Sequence, residues 1–142
     1  MANFTLLSSE QSLSPFKNFR IGHIDGAHAQ TLPLFYDAIE KALSLPDFEP
    51  DMELLDSLLN DLTWIKQPNV AIYITNFDEF LVKEKKEKVL VELLNLLDAT
   101  AEDWKWLDDD DEMPKKNFKI LIQTSPRAIE ILEKEEIAFS TL

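Results

Sequence analysis

Residues 70–75, VAIYIT, decide the fold. Six uncharged residues, half of them β-branched isoleucine or valine and apolar on both faces, suit a strand covered on both sides, as strands of parallel sheets are. Working outward, a second apolar run follows at residues 118–124 (FKILIQT). A shorter one precedes at residues 19–24 (FRIGHI), closed by the turn dipeptide Asp25-Gly26. The spacers between these runs read as helices. From Thr31, Leu34, Phe35, Ala38, Ile39, Ala42 and Leu43 recur every three to four residues, with Thr31 or Gln30 near the N-cap, Pro33 in the first turn and Pro46 as the stop. A second helix carries Leu54, Leu55, Leu58, Leu59 and Leu62 on one stripe. At about 100° per residue, Glu53, Asp56, Ser57 and Asn60 fall on its other face.

Asn76 caps a short turn through Phe80, and residues 83–88 (KEKKEK) open a third helix with Val89, Leu90, Leu93, Leu94 and Leu97 inward. The stretch 100–116, with Trp104, Trp106 and the acidic run 108–112, reads as an irregular excursion. Ser125-Pro126 caps a last helix that uses Ile129, Ile131 and Leu132. Strand, helix, helix, strand, helix, strand, helix predicts an α/β class: a small three-stranded parallel sheet flanked by helices, with an extra C-terminal helix. The expected domain plan is a loose arm over 1–18, a domain over 19–124, and a helical extension over 125–142 packed on it. There is no internal repeat.

At 142 residues the chain is the size of one domain and needs no metal or disulfide staple. It has no cysteine, which removes disulfides, thiolate zinc sites and a thiol nucleophile. Its two glycines, Gly22 and Gly26, cannot write a phosphate-binding loop or a dinucleotide fingerprint. Twenty-seven acidic against 14 basic residues leave a net charge of −13, a field that repels nucleic acid and anionic lipid and attracts basic partners. No apolar run approaches the about 18–20 residues of a membrane span, and the first 16 residues lack the basic and apolar regions of a signal peptide, so a cytoplasmic location is expected.

The densest feature is the acidic stretch 47–65, with Asp47, Glu49, Asp51, Glu53, Asp56 and Asp61 and no lysine or arginine before Lys66. It reads either as a recognition face for a basic cleft, carboxylates standing in for phosphates, or as a solvated helix face. The helix dipole accounts for acids at its start, Asp51 and Glu53, but not for Asp56 and Asp61. The run 108–112 is contiguous and lacks the central glycine of a calcium loop, which leaves a solvated acidic loop. His23 and His28 have neither further metal ligands nor a nucleophile beside them, and read as a strand-end and a loop histidine. Trp104 and Trp106 read either as a partner platform or as packing for the excursion. The mixed signs of KEKKEK make it a solvated helix start.

The residues also carry a resemblance. Ile24-Asp25-Gly26, then Leu32, Phe35, Ile39 and Leu43, then Leu45-Pro46, resemble the barstar family of ribonuclease inhibitors. Phe48 and the acidic loop after it are similar to that family's binding loop, with one residue inserted. Leu55-Asp56-Ser57-Leu58 with Leu62-Thr63-Trp64 is similar to its second helix, and residues 70–75 with Phe77, and 118–123, to its later strands. The resemblance spans roughly 19–124. It implies a three-stranded parallel sheet and an inhibitor that plugs the active site of a basic ribonuclease. It puts Phe48 at an aromatic contact and Asp56 at one of two interface aspartates. Asn60 stands at the other, and Leu59 where the family has a tryptophan between them. Glu49-Pro50-Asp51 fills the place of a loop glycine, and a further acidic contact falls near Asn95.

The function expected is a barstar-like inhibitor or immunity protein, monomeric until it binds a basic ribonuclease or nuclease toxin. Its partner-binding residues would be Phe48, Glu49, Asp51, Glu53, Asp56, Asn60 and Trp64. The other reading is a non-inhibitory adaptor that binds a basic protein or peptide through the same fold. No metal, cofactor, nucleic acid or membrane is expected. Nor is an enzyme: Asp56 and Asp61, five apart on a helix, point in different directions, and no nucleophile–base pair is visible.

Overall fold

In the computed structural model, which describes residues 2–107 and 115–142, the 70–75 run is the second strand of a five-stranded parallel sheet. In chain order the strands are β1 (Phe4–Leu7), β2 (Arg20–Asp25), β3 (Asn69–Thr75), β4 (Asn117–Gln123) and β5 (Phe139–Thr141). The helices are α1 (Leu32–Leu43), α2 (Met52–Leu59), α3 (Lys88–Lys105) and α4 (Pro126–Lys134). Across the sheet the order is β2-β3-β4-β1-β5, and every neighbouring pair is parallel.

This order follows from the handedness of crossovers. The steps from β2 to β3, to β4, and past β1 to β5 all move the same way, so right-handed connections set α1 to α4 on one face. The step from β1 to β2 runs the other way, over β4 and β3. Its connection, the 3-10 turn Glu10–Phe16, therefore lies on the opposite face. Side-chain alternation along β3 matches both coverings. Val70, Ile72 and Ile74 enter the helix-side core, while Ala71 and Tyr73 join Leu7 and Leu121 under Leu13 and Phe16. Full burial of one such isoleucine is worth about 1.5–3 kcal/mol, and helix residues such as Phe35, Ile39, Leu55, Leu93 and Leu97 are buried as completely as the strands they cover.

Local signals behave as the sequence suggests. Thr31 Oγ1 accepts from the Leu34 N–H (3.4 Å) at the start of α1, and Ser125 Oγ from the Ala128 N–H (3.1 Å) at the start of α4. Gly26 is required by close approach: a Cβ there would sit on the Asn76 carbonyl oxygen, with the Thr75 oxygen at 2.8 Å.

Four expectations are corrected. The sheet has five strands, not three. Residues 4–7 are not part of a loose arm: all four are buried and paired to β4 and β5. The C-terminal part adds a strand, β5, as well as α4. The 83–88 segment and the 100–116 excursion exchange roles in part, since turns precede Lys88 and the helix continues to Lys105. The start of β1 is tied to the end of that helix. Asn3 Nδ2 donates to Asp98 Oδ1 (2.9 Å) and Glu102 Oε1 (3.1 Å). Glu102 also accepts from Trp106 Nε1 (2.9 Å) and Lys105 Nζ (3.2 Å). With the indole N–H foremost, these donors hold its carboxyl at about 2.

Candidate functional site: the loop and face of α2

The loop before α2 is shaped by two left-handed residues, Ser44 (φ 53°) and Asp47 (φ 50°). Between them Leu45 is buried, and its N–H reaches back to Glu40 O (3.0 Å), ending α1. Asp51 caps α2, its Oδ2 accepting from the Leu54 N–H (3.0 Å). Leu55 and Leu59 then point into the core, which turns Glu53 and Asp56 to solvent. Glu49, Asp51, Glu53 and Asp56 are all exposed, and no lysine or arginine lies between Lys41 and Lys66. The charge of Asp51 is felt at Tyr36, whose hydroxyl is pushed above its ordinary pKa, first by burial and then by that carboxylate.

Three of the expected partner-binding residues, Phe48, Asn60 and the half-buried Trp64, are turned differently from the rest. Phe48 is 9% exposed, and its ring meets Tyr36 edge-on at 5.8 Å, so it packs the loop onto the domain. Asn60, half-buried at the end of α2, donates from Nδ2 to Asp56 O (2.8 Å) and Asp56 Oδ1 (3.1 Å). One carboxylate oxygen of Asp56 is thus engaged within the helix. Leu59 is fully buried.

Three side chains hold this face in place by donating to main-chain carbonyls. Trp64 Nε1 donates to Leu43 O (2.8 Å) and Trp104 Nε1 to Leu59 O (2.8 Å). Lys116 Nζ donates to Ile65 O (2.7 Å) and Gln67 O (2.9 Å), burial lowering its pKa. An eight-residue helix does not persist alone, so these anchors and the buried leucines fix it. Trp104 and Lys116 were not among the expected site residues. Their role depends on contacts 45 and 51 residues away in sequence, which no local pattern announces.

The remaining candidates do not converge. Trp104 is buried and Trp106 is 81% exposed, so the two do not form one platform. The run 108–112 lies outside the described residues. His23 is exposed, stacks on Tyr73 at 5.5 Å, and shares a 2.8 Å hydrogen bond with Thr75 Oγ1. His28 sits 3.8 Å from Asp25. Among the described residues no group of three or more histidine or acidic side chains is placed to hold a metal ion. Asn95 is exposed on α3. No described helix is long and apolar enough to cross a membrane.

Parallel sheets usually hold ligands where neighbouring strands send their connections to opposite faces. Here that point lies between the carboxyl ends of β1 and β4. Main-chain pairing continues past the strand ends there, with Thr124 N–H donating to Leu7 O (2.9 Å), while on the other side of β1 Ser8 N–H donates to Leu142 O (2.9 Å). The loop after β1, Ser8-Ser9-Glu10, offers neither glycine nor lysine to a phosphate.

Among solved structures, the chain is similar to the ORC2 protein of Aeropyrum pernix in its ADPNP-ADP complexes, with a TM-score of 0.57 at 15% identity. The ADP form of that protein gives 0.55 at 15% identity. Each match covers 99% of this chain and 41% of the other, so this chain spans less than half the length of those proteins. At that identity the likeness shows the fold alone. No curated protein matches. The family described as Barstar (barnase inhibitor) matches residues 19–123, from just before β2 through β4, with the whole α2 face inside the match. The chain belongs to the Barstar family.

Proposed function

We propose that this protein binds and blocks a basic ribonuclease, a nuclease toxin among the candidates, through the loop and exposed face of α2. One observation carries the reading. Within a Barstar-family domain, Glu49, Asp51, Glu53 and Asp56 are presented together to solvent over a stretch without a single base. A ribonuclease active site is built to hold phosphates, so a rigid row of carboxylates competes for the same cations. Complementary charge speeds the encounter and fixes its register. Asp56 meets an arginine or lysine through its free oxygen in a charge-assisted hydrogen bond. Phe48, packed on Tyr36, sets the loop that carries Glu49 and Asp51, and Trp64 closes the rim. The protein is monomeric before binding, acts one-to-one in the cytoplasm, and does no chemistry of its own.

The turned-in Leu59 and the Asn60 amide bound to Asp56 favour a second reading, in which the same face holds a basic protein without inhibiting it. Both are tested with the product of the gene beside this one, where that product is a basic nuclease. Calorimetry measures binding, and ribonuclease assays measure inhibition. Asp56→Ala is expected to weaken binding by at least about 2 kcal/mol, the hot-spot scale of protein interfaces, barstar's own included. Binding without loss of ribonuclease activity supports the adaptor. Unchanged affinity in Asp56→Ala removes this face from the interface.

A further inference from the structure

Where the base-free stretch ends, the charge changes sign. β2 and β3 are parallel neighbours with Arg20 paired to Val70, so the start of β2 and the loop before β3 lie side by side. Between them and the end of α1 is a pocket of about 320 Å³. Its lining holds two cations, Arg20 and Lys66, a wall made by the indole of Trp64 and, among the described residues, no carboxylate.

Neither cation is neutralised from within. The ion pairs among the described residues involve His28, Lys88, Lys105 and Lys134. Arg20 donates from Nη1 to Ile21 O (3.3 Å), which leaves the rest of its five-donor fork open. Lys66 is exposed. Asp61 lines a separate depression, which shares Lys66 with this pocket but neither Arg20 nor Trp64. Three main-chain oxygens of the lining, which would repel an anion, are engaged. Leu43 O accepts from Trp64 Nε1 (2.8 Å), while Ile65 O (2.7 Å) and Gln67 O (2.9 Å) accept from the buried ammonium of Lys116. These bonds also fix the walls before anything binds, so little ordering is lost on docking.

We infer that this pocket receives a carboxylate side chain of the partner held by the α2 face, so that Arg20 and Lys66 select, among basic partners, one with an aspartate or glutamate beside its cationic cleft. The inference rests on the α2 reading above, and Trp64 joins the two surfaces, being the rim of one and the wall of the other. Guanidinium and ammonium meet the carboxylate in charge-assisted hydrogen bonds. A free anion or a nucleic acid is repelled by the net charge of −13 before it reaches two cations. An acid carried on a basic protein is instead drawn in by the attraction of its neighbours to Glu53 and Asp56. Opposite signs side by side also fix orientation. A partner turned end for end would set its cations on Arg20 and Lys66 and its acid on α2.

Two probes separate the pocket from the α2 face. The first is glutamate capped at both ends, titrated at constant ionic strength into the isotope-labelled full chain and followed by NMR, with capped glutamine as control. Saturable shifts of the Arg20 side-chain N–H, the Trp64 indole N–H and the amides of residues 64–67 are expected with glutamate only. The second is the basic nuclease encoded beside this gene, measured by calorimetry. Lys66→Gln and Arg20→Gln should each weaken it about threefold and Lys66→Glu at least about tenfold. Added negative charge alone would tighten a basic partner, so a loss in Lys66→Glu reports the local contact. A lysine scan of the nuclease's acidic residues should then contain one substitution that restores affinity for Lys66→Glu. If Lys66→Glu weakens binding and Asp56→Ala does not, the α2 reading fails and the pocket stands. Equal shifts with capped glutamine, or a nuclease weakened by Asp56→Ala but held as tightly by Lys66→Glu, would overturn the inference and leave the α2 face in place.

Discussion

Replacing Phe48 by alanine separates two roles for the residue at the centre of the binding loop. If Phe48 is a free contact that fills a partner's pocket, truncation leaves the isolated protein as stable as before. In the structure its ring is 9% exposed and meets Tyr36 edge-on at 5.8 Å, beside a chain bent through left-handed Ser44 and Asp47. Phenylalanine-to-alanine changes in cores cost about 3–5 kcal/mol, because the transfer term is joined by a cavity that collapses only in part. The aromatic pair itself accounts for about 0.5–1.5 kcal/mol of such a loss. Phe48 lies at the margin of the core, where the loop can settle, so the expected loss is about 3 kcal/mol. Phe48→Leu, which keeps most of the volume but not the ring contact, should lose about 1 kcal/mol. Urea unfolding followed by circular dichroism reads both, with an unchanged slope showing that the same transition is compared. A loss below about 1 kcal/mol for the alanine variant would refute the packing argument and return Phe48 to the surface as a contact residue.

Three further outcomes follow from particular contacts. Trp104→Phe keeps an aromatic ring but removes the half of the indole that donates to the Leu59 carbonyl, and should cost at least about 1–3 kcal/mol in urea unfolding from the stranded carbonyl, with the small cavity adding to it; a neutral variant would refute the anchoring of the end of α2 by Trp104. Gly26→Ala drives a Cβ into the Asn76 and Thr75 carbonyls, which cannot swing away as a side chain could, so a loss of at least about 2 kcal/mol is expected, against a smaller one for Gly22→Ala, which meets only Leu43 and Ala42 side chains. Glu102, whose carboxyl is held at about 2 against an ordinary 4.5, contributes stability that is fully present above the unfolded value and lost as pH falls through about 2. Glu102→Gln should therefore flatten the decline of stability with acid in that window, and an NMR titration of Glu102 with a midpoint near 4.5 would refute the hydrogen-bonded hub.

The sequence by itself determined the α/β class, the parallel strands β2, β3 and β4, and the acidic face of α2. Each of these is written locally. An apolar run of six residues can hide only between two layers, a leucine stripe has one inward side, and a base-free stretch keeps its charge wherever it lies. The same locality explains what it left unread. Residues 4–7, FTLL, are too short a run to tell from any other apolar tetrad, and their place between β4 and β5 exists only once the chain has folded past them. The strand order, and the covering of the second face by Glu10–Phe16, come from the handedness of connections rather than from any residue. Likewise α2 is announced by its own leucines, but its fixed position is not. That position rests on Trp64, Trp104 and Lys116 donating to carbonyls 21, 45 and 51 residues away, and hydrogen bonds across such separations are settled by tertiary packing alone.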